Sequence, residues 1–259
     1  MSAGTGVAAA LHQARRSGQA LAAFPAPIPA TLADAYTVQR DLCAALGVPL
    51  LGWKVGRIPQ TLIETLGAER LAGPVLRVAE LDGEAPGDAR VFAGGVGVIE
   101  AEIILRLSAV PTRRLASDRE AMSFIDEIRA GFEVASSPAP DVHDHAPYGI
   151  IADIGINNGL LLGPRLDAES FDRIVITEIE GSRVGSGRPC DILDGPLGSL
   201  RFLVDLHMDG VIALEAGQWI SAGAITGVHP IAPGQTATAH FGETVRIACT
   251  ASTDPGFAS

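Results

Sequence analysis

The stretch that most constrains the fold of this chain is residues 94–107, which reads GGVGVIEAEIILRL. Aliphatic and β-branched residues follow one another here without a helix signal, so the stretch is predicted to be a β-strand entered through glycines. Side chains alternate between the two faces of a strand. One face is continuous and apolar, formed by Ile99, Ala101, Ile103, Leu105 and Leu107. The other face carries Val98, Glu100, Glu102 and Ile104.

Glu100 and Glu102 make the second face of this strand unusual. Two carboxylates on one aliphatic face repel each other and lose hydration if they are buried. A divalent cation would relieve both costs, since carboxylate oxygens are preferred ligands of magnesium and manganese. The alternative interpretation is a half-exposed edge strand with solvated glutamates. The strand alone leaves both open.

The composition limits the classes of function. The 259 residues fit one large domain or a domain with a small appendage, and 30 glycines and 17 prolines favour a β-containing fold over a helical bundle. A net charge of -11 argues against a nucleic-acid partner. It still permits a small anionic substrate, because one lysine and a metal can reverse the sign locally. Three scattered cysteines and the lack of a membrane-length apolar run predict a soluble cytoplasmic protein.

Two further charged residues lie inside apolar segments. Lys54 belongs to a short predicted strand over residues 50–56, where it either points to water or is buried. A buried lysine has a depressed pKa and can act as an acid or base near neutrality. Glu133, within residues 132–135, is a third carboxylate among apolar neighbours. The His143/His145 loop (DVHDH, residues 141–145) is interpreted as a flexible polar loop, because zinc needs a preorganised scaffold.

Local signals predict four helices, one of which follows Gly195-Pro196. The first covers residues 5–20, and the second begins at the cap pair Thr31 and Asp34 and ends at Gly47. Residues 1–50 are therefore interpreted as a helical N-terminal appendage. Ser117 and Glu120 predict a third helix that continues to about residue 130. The sequence lacks the glycine-rich nucleotide-binding loops and the Gly-x-Ser-x-Gly elbow, which disfavours nucleotide and serine-hydrolase chemistry.

Several segments, taken in order, resemble the 2-keto-4-pentenoate hydratase / 4-oxalocrotonate decarboxylase family of the fumarylacetoacetate hydrolase superfamily. They span residues 35–250. They are Ala35-Tyr36-x-x-Gln39, Gly52-Trp53-Lys54-Val55-Gly56, Glu100-Ala101-Glu102, Phe132-Glu133-Val134-Ala135-Ser136-Ser137, Ile151-Ala152-Asp153-x-Gly155-x-Asn157-Asn158-Gly159, Gly195-Pro196-Leu197, Ala216-Gly217 and Ser221-Ala222-Gly223-Ala224-x-Thr226-Gly227-Val228-His229. Each motif is short, whereas their ordered combination is fairly specific.

The resemblance implies an α+β fold: a mixed rolled β-sheet core of the fumarylacetoacetate hydrolase type with a helical N-terminal part. Residues 51–259 would form the mixed-β catalytic domain, and the chain would be a homo-oligomer. The implied ligands of Mg2+ or Mn2+ are Glu100, Glu102 and Glu133. The implied catalytic residues are Lys54 and Asp153. The implied substrate-binding residues are Asn157, Asn158, Thr226 and His229.

The activity that the resemblance implies is a metal-dependent hydratase of aromatic-compound meta-cleavage catabolism. It would add water to a 2-hydroxy-2,4-dienoate or 2-keto-4-pentenoate-type acid and give a 4-hydroxy-2-oxo acid. Three carboxylates leave about three positions of an octahedral cation open, and a 2-keto acid can fill two of them. The alternatives are an oxalocrotonate-type decarboxylase, an acylpyruvate C–C hydrolase using His229 or the His143/His145 loop, and a catalytically silent binding protein. Departures from the family pattern at residues 67–76, at Pro138 and at Asp153-Ile154 leave the substrate open.

Overall fold

The computed structural model describes residues 3–81 and 85–257. Its α-helices are α1 (Ala3–Ser17), α2 (Leu32–Leu46), α3 (Gln60–Leu66), α4 (Asp118–Met122), α5 (Tyr148–Ala152) and α6 (Gly195–Met208). Short 3-10 turns include Val142–His145 and Ile154–Ile156. Within the described ranges, no helix has the length and apolar character needed to cross a membrane.

The strands form two sheets. In chain order they are β1 (Gly52–Arg57), β2 (Arg70–Val75), β3 (Val78–Glu80), β4 (Gly87–Val91), β5 (Val96–Leu107), β6 (Ile125–Ser137), β7 (Asn157–Arg165), β8 (Val175–Ile179), β9 (Ser182–Gly187), β10 (Trp219–Ser221), β11 (His229–Pro230), β12 (Thr236–Phe241) and β13 (Val245–Thr253). The first sheet has the order β2-β1-β10-β5-β6-β7-β3, with β11 also paired to β5, and the second has the order β4-β13-β12-β8-β9. The pairs β1–β10, β3–β7 and β4–β13 are parallel and the others antiparallel. The α+β class with mixed sheets is therefore confirmed.

Strand β5 lies at the centre of the first sheet. It pairs with β6 on one side and with β10 and β11 on the other, so the edge-strand interpretation is wrong. Its apolar face belongs to the large core that also takes side chains from β12 and β13 of the second sheet. The opposite face is flanked by Val98 and Ile104, which pack into two smaller apolar clusters. The glutamates between them are thus enclosed by the sheet.

The two N-terminal helices pack against each other and against the first sheet. The Thr31 hydroxyl accepts a hydrogen bond from the Asp34 N–H at the start of α2, and Gly47 ends that helix at a φ of 64°, a left-handed conformation that favours glycine. Val7 and Leu11 of α1 share an apolar cluster with Val98 of β5. The helical N-terminal part is confirmed. The division into an appendage and a catalytic domain stays a prediction, and residues 1, 2, 82–84, 258 and 259 of its two ranges lie outside the described residues.

The third predicted helix is wrong over most of its length. Helix α4 ends at Met122, and β6 begins at Ile125. Ser117 caps the short helix as expected, since its hydroxyl accepts a hydrogen bond from the Glu120 N–H. Beyond Met122, pairing with β5 over twelve registered positions provides a complete ladder of backbone hydrogen bonds. This long-range pairing overrides a local apolar spacing that also fits a helix.

Candidate metal centre

Strand pairing brings three glutamates to one point on the first sheet. Glu100 lies directly opposite Glu133 in the β5–β6 ladder, and Glu102 is on the same face two residues along. One carboxylate oxygen of each residue lies within 4.8 Å of the others. Glu102 and Glu133 are fully buried, and Glu100 is 7% exposed. We call these three residues with Lys54 the glutamate cluster.

Two carboxylates of the glutamate cluster are hydrogen-bonded on one oxygen each. Oε2 of Glu102 accepts from the hydroxyl of Ser221 and from the backbone N–H of Gly223, the latter at 2.9 Å. Oε1 of Glu133 accepts from Nδ2 of Asn157 at 2.9 Å and lies 3.4 Å from Nζ of Lys54. The other oxygens, Oε1 of Glu102 and Oε2 of Glu133, have no hydrogen-bond partner among the described residues. Buried polar atoms are usually hydrogen-bonded, so these two oxygens indicate a ligand.

The charges of the glutamate cluster are unbalanced. Burial and the neighbouring Glu133 raise the pKa of Glu100 to about 7, and burial with the same repulsion raises the pKa of Glu102 well above its ordinary value. Burial lowers the pKa of Lys54, but attraction to the three carboxylates outweighs it and the pKa is raised. The depressed lysine pKa predicted from burial alone is therefore wrong for the metal-free cluster. A divalent cation would offset both the repulsion among the carboxylates and the excess of negative charge over Lys54.

The residues present fit magnesium or manganese. All three side chains offer hard carboxylate oxygens, which suit these cations better than zinc or copper. Glu102 and Glu133, each with one unpartnered oxygen, belong with Glu100 to the group of residues whose carboxylate oxygens converge. Glu100, Glu102 and Glu133 could therefore hold one divalent ion on the sheet.

A cavity of about 560 Å³ opens beside the glutamate cluster. Lys54 and Glu100 line it, and so do Arg57 and Arg70 from the far end of the β1–β2 hairpin and His143 from the 3-10 turn. Most of the remaining wall is apolar, formed by Val55, Leu71, Ala146, Ile150, Ile156, Ile192, Leu193, Ala222, Ala224 and Val228. The cavity suits a small acid with an apolar body.

Asp153 lies in a second buried charged group, which sequence reasoning missed. Nε of Arg15, on α1, donates to Oδ1 of Asp153 at 2.6 Å, and both side chains are fully buried. The Ser137 hydroxyl donates to Oδ2 of Asp153 at 2.6 Å. Arg15 also donates from Nη2 to the carbonyl of Ser136 at 3.1 Å. The available signal was the Arg15-Arg16 pair in the last turn of an alanine-rich helix, but helix periodicity does not tell which distant residue an arginine meets.

Asn157 and Asn158 connect the two groups. They are consecutive at the start of β7, where a register shift against β6 brings Asn157 opposite Ala135, and their side chains bond different groups. Nδ2 of Asn157 donates to Glu133, whereas Nδ2 of Asn158 donates to Oδ2 of Asp254 at 2.7 Å. Oδ1 of Asn158 accepts from Arg15 at 3.3 Å. We call Arg15, Asp153, Asn158, Asp254 and Arg77 the arginine cluster; Arg77 pairs with Asp254 at 2.7 Å.

Thr226 and His229 lie on a turn beside the cavity. The Thr226 hydroxyl forms hydrogen bonds with the Thr177 hydroxyl at 2.7 Å and with Nε2 of His229 at 3.1 Å. Burial lowers the pKa of His229. Gly227 and Val228, between the two predicted residues, line the cavity. The backbone of this turn thus borders the site, while the Thr226 and His229 side chains bond each other.

The two histidines of the 141–145 loop have different surroundings. His143 lines the cavity, and burial together with the charge of Lys54 lowers its pKa. His145 lies 3.4 Å from Asp141 and packs against the ring of Phe24 with centroids 5.4 Å apart. The loop is a 3-10 turn rather than an irregular segment. His143 is the histidine of this loop that the fold brings to the site.

Comparison with protein-family models and with curated proteins gives no match. Solved structures do share the fold, and one of them is a putative fumarylacetoacetate hydrolase family protein from Yersinia pestis. Fumarylpyruvate hydrolase from Pseudomonas aeruginosa, in complex with Mn2+ and pyruvate, is similar with a TM-score of 0.53, covering 77% of this chain and 88% of its own at 10% identity. A 5-carboxymethyl-2-hydroxymuconate delta-isomerase from Mycobacterium smegmatis gives a TM-score of 0.53, covering 79% of this chain and 80% of its own at 20% identity.

A higher similarity is found with 4-oxalocrotonate decarboxylase from Pseudomonas putida, solved with magnesium and adipate. The TM-score is 0.78, the match covers 96% of this chain and 97% of that chain, and 22% of residues are identical. The TM-score over nearly the whole of both chains demonstrates a shared fold. The resemblance drawn from the ordered motifs is therefore confirmed for the fold.

Proposed function

We propose that this chain is a metal-dependent lyase of small 2-keto acids. Its reaction would be hydration of a 2-hydroxy-2,4-dienoate or 2-keto-4-pentenoate-type acid to a 4-hydroxy-2-oxo acid. The observation that carries the proposal is the buried group of Glu100, Glu102 and Glu133 beside a cavity sized for such an acid. The neighbours solved with magnesium and with manganese support a divalent metal.

In this proposal the three glutamates hold Mg2+ or Mn2+, which when bound supplies Lewis-acid polarisation of the 2-keto group. Lys54 lines the cavity within 3.4 Å of Glu133, so its ammonium can pair with the substrate carboxylate and hold a proton for transfer. The apolar wall excludes bulk water and strengthens both interactions.

The remaining predicted residues take different roles in the proposal. Asn157 offers an amide oxygen that has no donor within the described part of the chain. Thr226 and His229 fix the turn that presents Gly227 and Val228 to the cavity. Asp153 and Asn158 act through Arg15 and shape the start of β7 rather than touch substrate. A homo-oligomer stays a prediction from the resemblance.

Decarboxylation of an oxalocrotonate-type diacid is the second candidate. The similarity to 4-oxalocrotonate decarboxylase along 96% of this chain favours it. Arg57 and Arg70 line the same cavity as Lys54 and could pair with a second carboxylate. Hydrolysis of an acylpyruvate is a third reaction of the same site, for which His143 is the available histidine.

The test is turnover of 2-hydroxypenta-2,4-dienoate with Mg2+ or Mn2+. Turnover is measured as loss of the diene absorbance, and the product is identified. Glu102→Gln and Lys54→Ala should each lower kcat/KM at least about 100-fold, since each removes a group that contacts metal or substrate. Glu178→Gln, on β8 of the second sheet and 35% exposed, is the matched control and should keep full activity.

Unchanged turnover in both site variants would remove this mechanism. Carbon dioxide release from an oxalocrotonate-type diacid without hydration of the dienoate would assign the decarboxylase reaction to the same site. Cleavage of an acylpyruvate would assign hydrolysis. Calorimetry without Mg2+ or Mn2+ binding would favour a catalytically silent binding protein.

A further inference from the structure

The hydrogen bonds of the glutamate cluster have a one-sided pattern. Glu102 and Glu133 come from different strands, yet each has one oxygen with donors close by and one oxygen without a partner in the described residues. The donors also come from different elements: Ser221 from β10 and Asn157 from the start of β7. The same arrangement is thus built twice from unrelated parts of the chain.

Sheet register fixes these donors. Ser221 pairs with Lys54 on β1 and with Ile104 on β5, so its position beside Glu102 follows from three strands. Asn157 pairs with Ala135, two residues from Glu133. Ser221 is fully buried and Asn157 is 2% exposed. Neither side chain has water to bond if its carboxylate turns away, and an unpaired buried donor is unfavourable.

A carboxylate held in this way can offer a cation one oxygen but not both. Bidentate ligation would turn Oε2 of Glu102 towards the ion and away from Ser221 and Gly223, and would turn Oε1 of Glu133 away from Asn157. Mg2+ and Mn2+ accept six ligands in a near-octahedral arrangement, whereas Ca2+ accepts six to eight and often takes both oxygens of a carboxylate. The donors to Glu102 and Glu133 therefore limit the number of carboxylate oxygens on the ion, and this number affects the preference among Mg2+, Mn2+ and Ca2+.

We propose that Ser221 and Asn157 are positioning residues that restrict Glu102 and Glu133 to one-oxygen ligation. The restriction keeps three positions of an octahedral ion free for substrate and water, and it disfavours Ca2+ relative to Mg2+ and Mn2+. The proposal rests on the metal-dependent function proposed above. It assigns to Asn157 a role towards Glu133 in addition to the predicted substrate contact.

The test counts water ligands on bound Mn2+ by water-proton relaxation and measures Mg2+ and Ca2+ affinity by calorimetry. Wild-type protein should keep about two to three waters on the ion, since Glu102 and Glu133 give one oxygen each and Glu100 gives one or two to an octahedral ion. Ser221→Ala and Asn157→Ala should each lose about one water and raise the ratio of Ca2+ to Mg2+ affinity roughly tenfold. Two variants on different strands are used because one of them could fail to fold.

Ser136→Ala is the matched control. Ser136 is also a buried serine of the first sheet, with its hydroxyl bonded to the Val96 carbonyl and the Phe92 N–H, and it should leave the water count and affinity ratio unchanged. A wild-type water count in both site variants would overturn the positioning role while leaving the metal-dependent function intact. Wild-type protein that binds no Mn2+ would overturn both.

Discussion

The protein contains two buried charged clusters that meet at adjacent residues of β7. In the arginine cluster, two arginines face two aspartates, and Arg15 and Asp153 are both fully buried with a 2.6 Å contact. In the glutamate cluster, three carboxylates face one lysine. Asn157 donates to Glu133 of the glutamate cluster, and Asn158 belongs to the arginine cluster. Both clusters are buried except for Arg77, whose side chain is 19% exposed, but they differ in charge balance.

This difference separates a structural role from a functional one. In the arginine cluster, burial raises the pKa of Asp153 despite its pairing with Arg15, whereas hydrogen bonds from Arg77 and Asn158 outweigh burial at Asp254 and hold that pKa below its ordinary range. Burial and repulsion raise the pKa values of Glu100 and Glu102. Removing one partner of a buried ion pair leaves an uncompensated charge and destabilises the fold, whereas removing one of several buried carboxylates relieves their repulsion. Removing one charge should therefore lower the free energy of unfolding in the arginine cluster and raise it in the metal-free glutamate cluster.

The largest effect is expected from breaking the arginine cluster. Arg15→Met leaves Asp153 as an uncompensated buried charge, so the free energy of unfolding should fall by about 3–5 kcal/mol. Urea-induced unfolding measures this change. Arg114→Met is the control: Arg114 is 54% exposed and pairs with Asp205 and Asp209 at the surface, so its loss should change the free energy of unfolding far less. Equal losses in the two variants would contradict the paired-cluster interpretation.

The glutamate cluster could be predicted from the sequence and the arginine cluster could not. Alternation within one strand places Glu100 and Glu102 on one face, and Glu133 stands out inside an apolar segment. Arg15 and Asp153 are 138 residues apart in the chain, and no local period reports such a contact. An arginine on a helix usually lies at the surface with its stem packed, which made Arg15 an unremarkable residue of the sequence.

The fold was predictable to a similar extent. The ordered motifs led to the α+β class and the fumarylacetoacetate hydrolase fold, while residues 125–130 were assigned to a helix. Ile125 and Ile128 fit a helical spacing, and the cap at Ser117 is real. What decides the structure of this segment is pairing with β5, a long-range interaction that a local pattern does not contain.

The second expected effect is a pH dependence of the metal-free glutamate cluster. The pKa of Glu100 is about 7 in the folded protein and near 4.5 when unfolded, so the folded state binds more protons between these values. Stability should then fall as pH rises from 4.5 to 7, by roughly 3 kcal/mol for this group. Thermal unfolding at several pH values, compared with Glu100→Gln, isolates the contribution. Saturating Mg2+ should remove the slope, and equal slopes in wild type and variant would refute it.

The smallest expected effect is a rise in the free energy of unfolding when one carboxylate is removed from the glutamate cluster. Glu102→Gln removes the charge of one of three converging carboxylates and puts an amide N–H₂ donor in the cluster in its place. At pH 8 without metal, the free energy of unfolding should rise by about 1 kcal/mol, the equivalent of somewhat less than one pKa unit. Glu127→Gln on β6 is the matched control. Glu127 is paired with Arg129 and Arg165, so this substitution should lower the free energy of unfolding. Glu102→Gln also removes a proposed metal ligand. Higher stability without metal, together with weaker Mg2+ binding, would show that Glu102 favours metal binding and lowers the stability of the metal-free protein. A loss of stability without metal would instead place Glu102 among the paired structural charges.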